Sequence, residues 1–246
     1  QSLPDVTRLT RPSISFQGSG CVIVYHIGVA RYLQENFDLS NVTFLAASGG
    51  SIVAAMLALG LEMEVAFSEN CRLAIFSRQL PFGPFGRILD DVAGAFDALL
   101  INWTDEDVKA KLANGKLVLS LTHAISGCPR LMINYNKKET LINSVWCSMN
   151  LPIFMCKFRR VENEWYVDGG ITNNHPVANH NTIRVSPTDT TAQIVPDEVP
   201  GLLEFLVPGD QQYMENMHDR GYETAKKYHH IFVNRGFREL KENRIK

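Results

Sequence analysis

Residues 42–61 read VTFLAASGGSIVAAMLALGL, and the fold class can be inferred from this segment. A β-rich run from Val42 to Ala47 passes through the turn Ser48-Gly49-Gly50 into a helical pattern that extends from Ser51 to about Leu61. The small residues of the turn let the backbone bend sharply between the strand and the helix. The stretch therefore predicts a β–α unit whose turn presents the hydroxyl of Ser48.

The same alternation continues along the chain. A strand over Ser13–Phe16 precedes a helix from about Cys21 to Glu35, and the two form an earlier β–α unit. Further strands are predicted at 116–122, 131–135, 164–167 and 182–185, with helices or loops between them. Such alternation predicts an α/β fold of three layers (α/β/α), in which helices cover both faces of a mostly parallel central sheet.

Length and composition indicate a single domain. The chain has 246 residues, of which 45% are hydrophobic, enough for one sizeable core. We expect one domain over residues 1–246, with a motif-bearing core at about 13–187 and a C-terminal loop and helical segment at 188–246. Within that segment, the apolar residues of 213–232 have the spacing of a last helix.

Charge and cysteine content argue against several classes of function. The net charge of −2 and the even spread of Lys and Arg disfavour nucleic-acid binding. The five cysteines form no CxxC pair, so we expect neither a disulfide scaffold nor a zinc ribbon, and a reducing compartment is favoured. No metal and no cofactor is predicted. The best apolar run, residues 53–61, is shorter than the roughly 18 residues that a bilayer-spanning helix needs.

Ser48 is the candidate nucleophile. The run Ala46-Ala47-Ser48-Gly49-Gly50 follows the G-x-S-x-G pattern of a strand-to-helix nucleophile elbow, except that Ala46 replaces the first glycine. Gly49 and Gly50 support the turn, and the N-terminus of the following helix stabilises negative charge beside the hydroxyl. The alternative is that Ser48 merely caps this helix.

The turn Gly18-Ser19-Gly20-Cys21 follows the first strand and opens a helix. Consecutive backbone N–H groups in such a turn can point at an anion, so these four residues form a candidate oxyanion hole. Two other interpretations are a plain turn and a dinucleotide-binding loop. The dinucleotide fingerprint G-x-G-x-x-G would need glycine where the chain has Ile23, so a nucleotide cofactor is disfavoured.

Asp168 is the candidate base. It stands at the end of a predicted strand, and Gly169 and Gly170 after it let a ligand or another backbone come close. Taken alone, Asp-Gly is also a strong signal for a hairpin turn. The presence of two other candidate turns earlier in the chain favours the functional interpretation.

Together these elements resemble the patatin-like phospholipase family, and most of all its branch of adipose triacylglycerol lipase and adiponutrin. The marks of the family are a glycine-rich oxyanion loop after the first strand, a G-x-S-x-G elbow and a downstream D-G-[GA], and they occur here in that order. The resemblance extends from about Ser15 to Pro187 and includes CS at 147–148, YVDGGITNNHP at 166–176 and RVSP at 184–187. It implies a patatin-like form of the α/β fold.

The resemblance also implies a chemistry. Ser48 would attack the acyl carbon of a lipid ester, Asp168 would take the serine proton, and water would release the fatty acid from an acyl-enzyme. Backbone N–H groups of Gly18, Gly20 and Cys21 would bind the oxyanion. The family further implies a cytoplasmic lipase or phospholipase in peripheral contact with a membrane or lipid droplet, and it allows a regulatory protein partner.

Two departures from the family pattern leave other functions open. Ala46 replaces the elbow glycine, and Ile23 stands where the oxyanion loop of the family usually ends in another glycine. A catalytically weak lipid-binding or regulatory module is therefore one alternative. Another is a carboxylesterase with a Ser-His-Asp triad, because the chain order Ser48, Asp168, His175 suits an α/β-hydrolase.

Aromatic residues alternate with arginines and Pro/Gly breakers between Leu73 and Leu89. Phe76 and Phe85 beside Arg87 suit an interfacial loop or lid. We favour the interpretation that this stretch is an irregular loop whose aromatic side chains, including Phe82, pack into the core.

Overall fold

The structure is a computed structural model, and it describes residues 10–80, 85, 87–151, 155 and 158–240. In chain order, its strands are β1 Ser13–Phe16, β2 Phe37–Asp38, β3 Thr43–Ala46, β4 Leu117–His123, β5 Pro129–Met132, β6 Arg160–Val161, β7 Glu164–Asp168, β8 Ile183–Val185 and β9 Arg238–Glu239. The main sheet has the order β6-β7-β4-β3-β1-β8, and β5 also pairs with β4. Strands β8, β1, β3 and β4 are parallel, whereas β5, β6 and β7 add antiparallel pairs at one side.

Helices lie on both faces of this sheet. They are α1 Ile23–Asn36, α2 Gly50–Leu59, α3 Met63–Arg78, α4 Ile88–Leu99, α5 Asp105–Lys111, α6 Lys138–Ser148, α7 Gly170–Asn173, α8 Leu202–Leu206, α9 Gln211–Lys227 and α10 His229–Asn234. The predicted three-layer α/β arrangement is therefore confirmed. Among the helices of the described residues, none has the length and apolar character that crossing a bilayer requires.

Two predicted elements differ from the structure. The strand expected at 131–135 lies at β5, because residues 123–128 close a tight turn that pairs Thr122 with Pro129. Proline is tolerated there at the start of a side strand. The helix expected over 213–232 is interrupted at Tyr228, which separates α9 from α10.

The aromatic stretch between Leu73 and Leu89 is mostly helical in its described part. Helix α3 continues to Arg78, and α4 begins at Ile88. Phe76 and Phe85 are 41% and 47% exposed, so the expectation that they pack into the core is wrong for these two. Phe82 lies outside the described residues.

Helices α1 and α9 pack backbone to backbone. A Cβ on Gly28 would overlap the carbonyl oxygen of His218, and a Cβ on Gly221 would overlap that of Tyr25. Any larger side chain at either glycine would push the helices apart. The C-terminal helical segment is thus part of the same core as the first β–α unit.

Candidate active site

The turn that contains Ser48 joins β3 to α2. Ser48 has a φ of +50°, in the left-handed region where a residue with a side chain is strained by about 1–2 kcal/mol. The next two residues need the absence of a side chain, because a Cβ on Gly50 would lie 2.6 Å from the carbonyl oxygen of Phe16 and one on Gly49 would lie 2.9 Å from Ser19 Oγ. The strained turn is therefore held against the glycine turn that follows β1.

Ser48 and Asp168 are joined by a direct hydrogen bond. The Ser48 hydroxyl donates to Asp168 Oδ2 over 2.7 Å, and the second carboxylate oxygen accepts from the backbone N–H of Gly170, also over 2.7 Å. Asp168 is only 4% exposed, and this burial raises the pKa of its carboxyl to about 6, although both hydrogen bonds oppose the shift. At neutral pH the group is an ionised carboxylate and a stronger base than an exposed aspartate.

Ser148, at the end of α6, holds the Ser48 turn in place through its hydroxyl. Its Oγ accepts from the backbone N–H of Ser48 (3.2 Å), contacts Ser51 Oγ (2.6 Å) and donates to the carbonyl of Ser120 (2.8 Å). In the sequence, Ser148 stands out only as part of the family resemblance. Its role could not be derived because a hundred residues separate it from Ser48 in the chain.

The four residues of the first glycine turn have different environments. The N–H of Gly18 is already bonded to Asn174, through Oδ1 (3.1 Å) and the backbone oxygen (3.3 Å). Ser19 is fully buried. In contrast, the N–H groups of Gly20 and Cys21 donate to no acceptor within the described part of the chain.

The N–H of Gly49 is likewise without an acceptor among the described residues. Gly49, Gly20 and Cys21 all line the cavity that contains Ser48. Three N–H groups from two turns, each without an acceptor among the described residues, thus belong to residues that line the cavity of Ser48. Gly18 lines the same cavity, but its N–H donates to Asn174.

The cavity has a volume of about 250 Å³ and is mostly apolar. Its remaining lining residues include Ile88, Leu89, Leu151, Gly170, Ile171, Asn174, Phe205 and Leu206. Phe205 and Leu206 belong to α8, which was not predicted from the sequence. The carbonyl oxygen of Phe205 would overlap a Cβ on Gly20, so glycine at that position lets α8 approach the turn.

Neither departure from the family pattern strains the backbone. Ala46 lies within β3, paired with β1 and β4, and its φ is not positive. Ile23 has a helical conformation at the first turn of α1. No special need for glycine remains at either position.

The histidine expected in a Ser-His-Asp triad is bonded elsewhere. His175 Nε2 lies 3.1 Å from the carbonyl oxygen of Ser15, and Nδ1 lies 3.9 Å from Asp189 Oδ2. His26 is fully buried, bonded to the carbonyl of Gln17, and its burial lowers its pKa to about 3. Because Ser48 bonds directly to Asp168, no imidazole stands between them.

Comparison with known proteins gives a consistent result. The sequence model of the patatin-like phospholipase family matches residues 14–179. Patatin-like phospholipase domain-containing protein 2 of Mus musculus is 32% identical over 196 residues, which cover 78% of this chain and 40% of that protein. Omega-hydroxyceramide transacylase of Mus musculus is 27% identical and is matched over 89% of this chain and 41% of its own length. The 1-acylglycerol-3-phosphate O-acyltransferase Pnpla3 of the same organism is also 27% identical, over 96% of this chain and 60% of its own.

Two solved structures share the fold. VipD from Legionella pneumophila superposes with a TM-score of 0.53 at 12% identity, over 92% of this chain and 67% of VipD. ExoU in its complex with SpcU, from Pseudomonas aeruginosa, gives a TM-score of 0.50 at 13% identity, over 97% of this chain and 54% of that chain. These matches confirm the patatin-like fold predicted from the sequence. The chain spans about two fifths of the length of the first of the curated relatives above.

Proposed function

Because this chain belongs to the patatin-like phospholipase family, we propose that it is a serine acyl hydrolase that cleaves the fatty acyl esters of lipids. The observation that supports this most is the 2.7 Å hydrogen bond from the Ser48 hydroxyl to the buried carboxylate of Asp168, at the base of an apolar cavity. A hydroxyl bonded directly to a carboxylate of raised pKa has a base in place for its proton.

In the first step, Ser48 Oγ attacks the carbonyl carbon of the ester while Asp168 takes the serine proton. The negative charge that develops on the carbonyl oxygen is stabilised by the free N–H groups of Gly20, Cys21 and Gly49 and by the N-terminus of α2. The C–O bond of the ester then breaks, and the departing alcohol takes the proton from Asp168. The acyl group remains bonded to Ser48.

In the second step, water replaces the alcohol. Asp168 accepts a proton from water as the water oxygen attacks the acyl carbon, and the same N–H groups stabilise the second oxyanion. The bond to Ser48 Oγ breaks, the proton returns to this oxygen, and the fatty acid leaves.

A fluorophosphonate probe tests the nucleophile. We expect the wild-type protein to be labelled at Ser48 and Ser48→Ala to lose labelling. Ser144→Ala is the matched control, since Ser144 is a buried serine of α6 whose hydroxyl donates to the carbonyl of Thr140, away from Ser48. Folded wild-type protein that neither reacts with the probe nor releases fatty acid from any lipid class would exclude the proposal.

Acyl transfer is a second candidate, favoured by the names of two relatives, a transacylase and an acyltransferase. The same acyl-enzyme would react with the hydroxyl of a second lipid in place of water. Incubation with a labelled acyl donor and an acceptor alcohol, followed by product analysis, separates the two reactions. Free fatty acid alone supports hydrolysis, and a labelled acceptor ester supports transfer.

We also propose that the protein works at a lipid surface, as the family resemblance led us to expect for a cytoplasmic, peripherally bound enzyme with a regulatory protein partner. Leu202 and Leu203 of α8 are 75% and 72% exposed, and Ile171 at the cavity is 57% exposed. Ile171 lines the cavity that would receive the ester, and α8 contributes Phe205 and Leu206 to the same lining. Co-flotation with lipid vesicles tests the contact with a lipid surface.

A further inference from the structure

A second, smaller cavity adjoins the cavity at Ser48 on the side of α3 and α4. Its volume is about 30 Å³, and Gly49, Ile88 and Leu89 line both cavities. The two cavities are therefore neighbours. These three residues belong to the start of α4 and to the Ser48 turn.

A third cavity, also of about 30 Å³, adjoins the second. It shares Ile23, Asn70 and Val92 with the second cavity and reaches the surface at Val65 of α3, which is 41% exposed. We call the second and third cavities together the acyl seam. The seam lies between α1 and α2 on one side and α3 and α4 on the other.

The walls of the seam are apolar along most of its length. The third cavity is lined chiefly by Ile27, Ile52, Met56, Ala95, Phe96 and Leu99. Its polar lining residues are Asn70 and Glu69, and Glu69 is bonded to Arg72 over 2.7 Å. A space of this composition favours a hydrocarbon chain over water.

Ile23 lies where the two cavities of the seam meet. Its side chain is 5% exposed, and as a β-branched residue in a helix it is largely restricted to one χ1 rotamer. Each cavity of the seam has the volume of about one water molecule, against about 250 Å³ at Ser48. The Ile23 side chain therefore limits how far a chain entering from Ser48 can extend.

We propose that the far end of the substrate's fatty acyl chain enters the acyl seam as far as Ile23 and that the Ile23 side chain thereby sets the longest chain accepted. This inference rests on the proposed hydrolase function. It also gives the departure at residue 23 a role: the residue does not belong to the oxyanion turn but determines specificity for acyl chain length.

The test compares kcat/KM for p-nitrophenyl butanoate, octanoate, dodecanoate and hexadecanoate. In wild-type protein we expect kcat/KM to rise with chain length and then to fall. In Ile23→Ala the maximum moves to a longer ester, with a gain of about fourfold for each methylene that the opened seam buries, and in Ile23→Phe it moves to a shorter one. Val29→Ala is the matched control, because Val29 is a fully buried residue of α1 outside the three cavities.

A second measurement separates this inference from the proposed function. Saturated fatty acids of increasing length are titrated into Ser48→Ala and into Ser48→Ala with Ile23→Ala, and we expect affinity to continue rising to longer chains in the double variant. If the Ile23 variants show the same dependence on chain length as their parent proteins in both experiments, the proposal that Ile23 limits acyl chain length is wrong. If wild-type protein hydrolyses no ester, the proposed function fails, while the titration alone still decides whether the seam binds acyl chains.

Discussion

The floor and the roof of the candidate active site are built in opposite ways. The floor is the Ser48 turn, fixed by the hydrogen bonds of Ser148 and followed by α2, whose residues are all buried. The roof is α8, a helix of five residues between two Val-Pro-Gly tripeptides, in which Phe205 and Leu206 line the cavity and Leu202 and Leu203 are exposed. Ser48 is therefore held by hydrogen bonds and buried packing, whereas access to it depends on an element with few buried contacts.

The largest effect is expected from removing the negative charge of Asp168, which accepts the hydrogen bond of Ser48. Asp168→Asn should lower kcat/KM by about a thousandfold or more, because the base is lost. It should also raise the free energy of unfolding at about pH 8 by up to roughly 3 kcal/mol, since the fold holds the carboxyl at a pKa of about 6 in place of 3.8 and so disfavours its ionised form.

The stability gain has a defined pH dependence. The folded protein binds the Asp168 proton more tightly than the unfolded chain, so the cost of the charge is complete above pH 6 and disappears as the pH falls to about 4. Urea unfolding of the wild-type protein and of Asp168→Asn at about pH 4 and pH 8 measures this difference in the free energy of unfolding. If Asp168→Asn were less stable than the wild-type protein at about pH 8, the fold would not disfavour the ionised form of Asp168.

A smaller effect is expected when the Ser48 turn loses the hydrogen bond to Ser148. Ser148→Ala removes the partner of the Ser48 N–H and of the Ser120 carbonyl, which should cost about 1–3 kcal/mol of stability. We expect kcat to fall about tenfold with KM nearly unchanged, because the residue positions Ser48 without touching substrate. Ser144→Ala, on the same helix, should change neither kcat nor KM, and a rise in KM alone in Ser148→Ala would contradict a positioning role.

The pH dependence of hydrolysis examines the same carboxylate. Since Asp168 must be ionised to act as a base, kcat/KM for a soluble ester should fall about tenfold for each pH unit below about 6 and level off above it. An inflection near pH 4 would mean that the carboxyl has its ordinary pKa. The residual activity of Asp168→Asn should lack the inflection.

At the roof we expect an effect on lipid binding and the smallest effect on the reaction itself. Replacing Leu202 and Leu203 by serine should weaken binding to phosphatidylcholine vesicles by about tenfold or more, because two exposed side chains lose their burial in lipid. Hydrolysis of a soluble short-chain ester should not change. Ile125→Ser is the control, since Ile125 is 82% exposed in the turn between β4 and β5. Equal weakening by both changes would exclude α8 as the lipid-binding element.

The sequence predicted the floor better than the roof, and the reason is the range of the interactions involved. The strand, turn and helix around Ser48 follow from local spacing, and Asp168 was found because its Asp-Gly-Gly run completes a family pattern. The hydrogen bonds of Ser148 and Asn174 join residues far apart in the chain, which periodicity does not reveal.

Helix α8 was missed for a different reason. Five residues are too few to show a helical period, and Pro-Gly on both sides indicates a loop. The effect of Ala46 was equally unpredictable, because whether alanine fits depends on a backbone φ that only the structure provides.

The Gly28 and Gly221 crossing determines where the protein can be divided. The family match ends at residue 179, yet α9 covers the face of α1 that contains Tyr25, just beyond the first glycine turn. A fragment truncated near residue 187 would retain every motif and lose the partner of α1. The smallest unit that folds therefore includes α9, well past the last residue proposed to take part in catalysis.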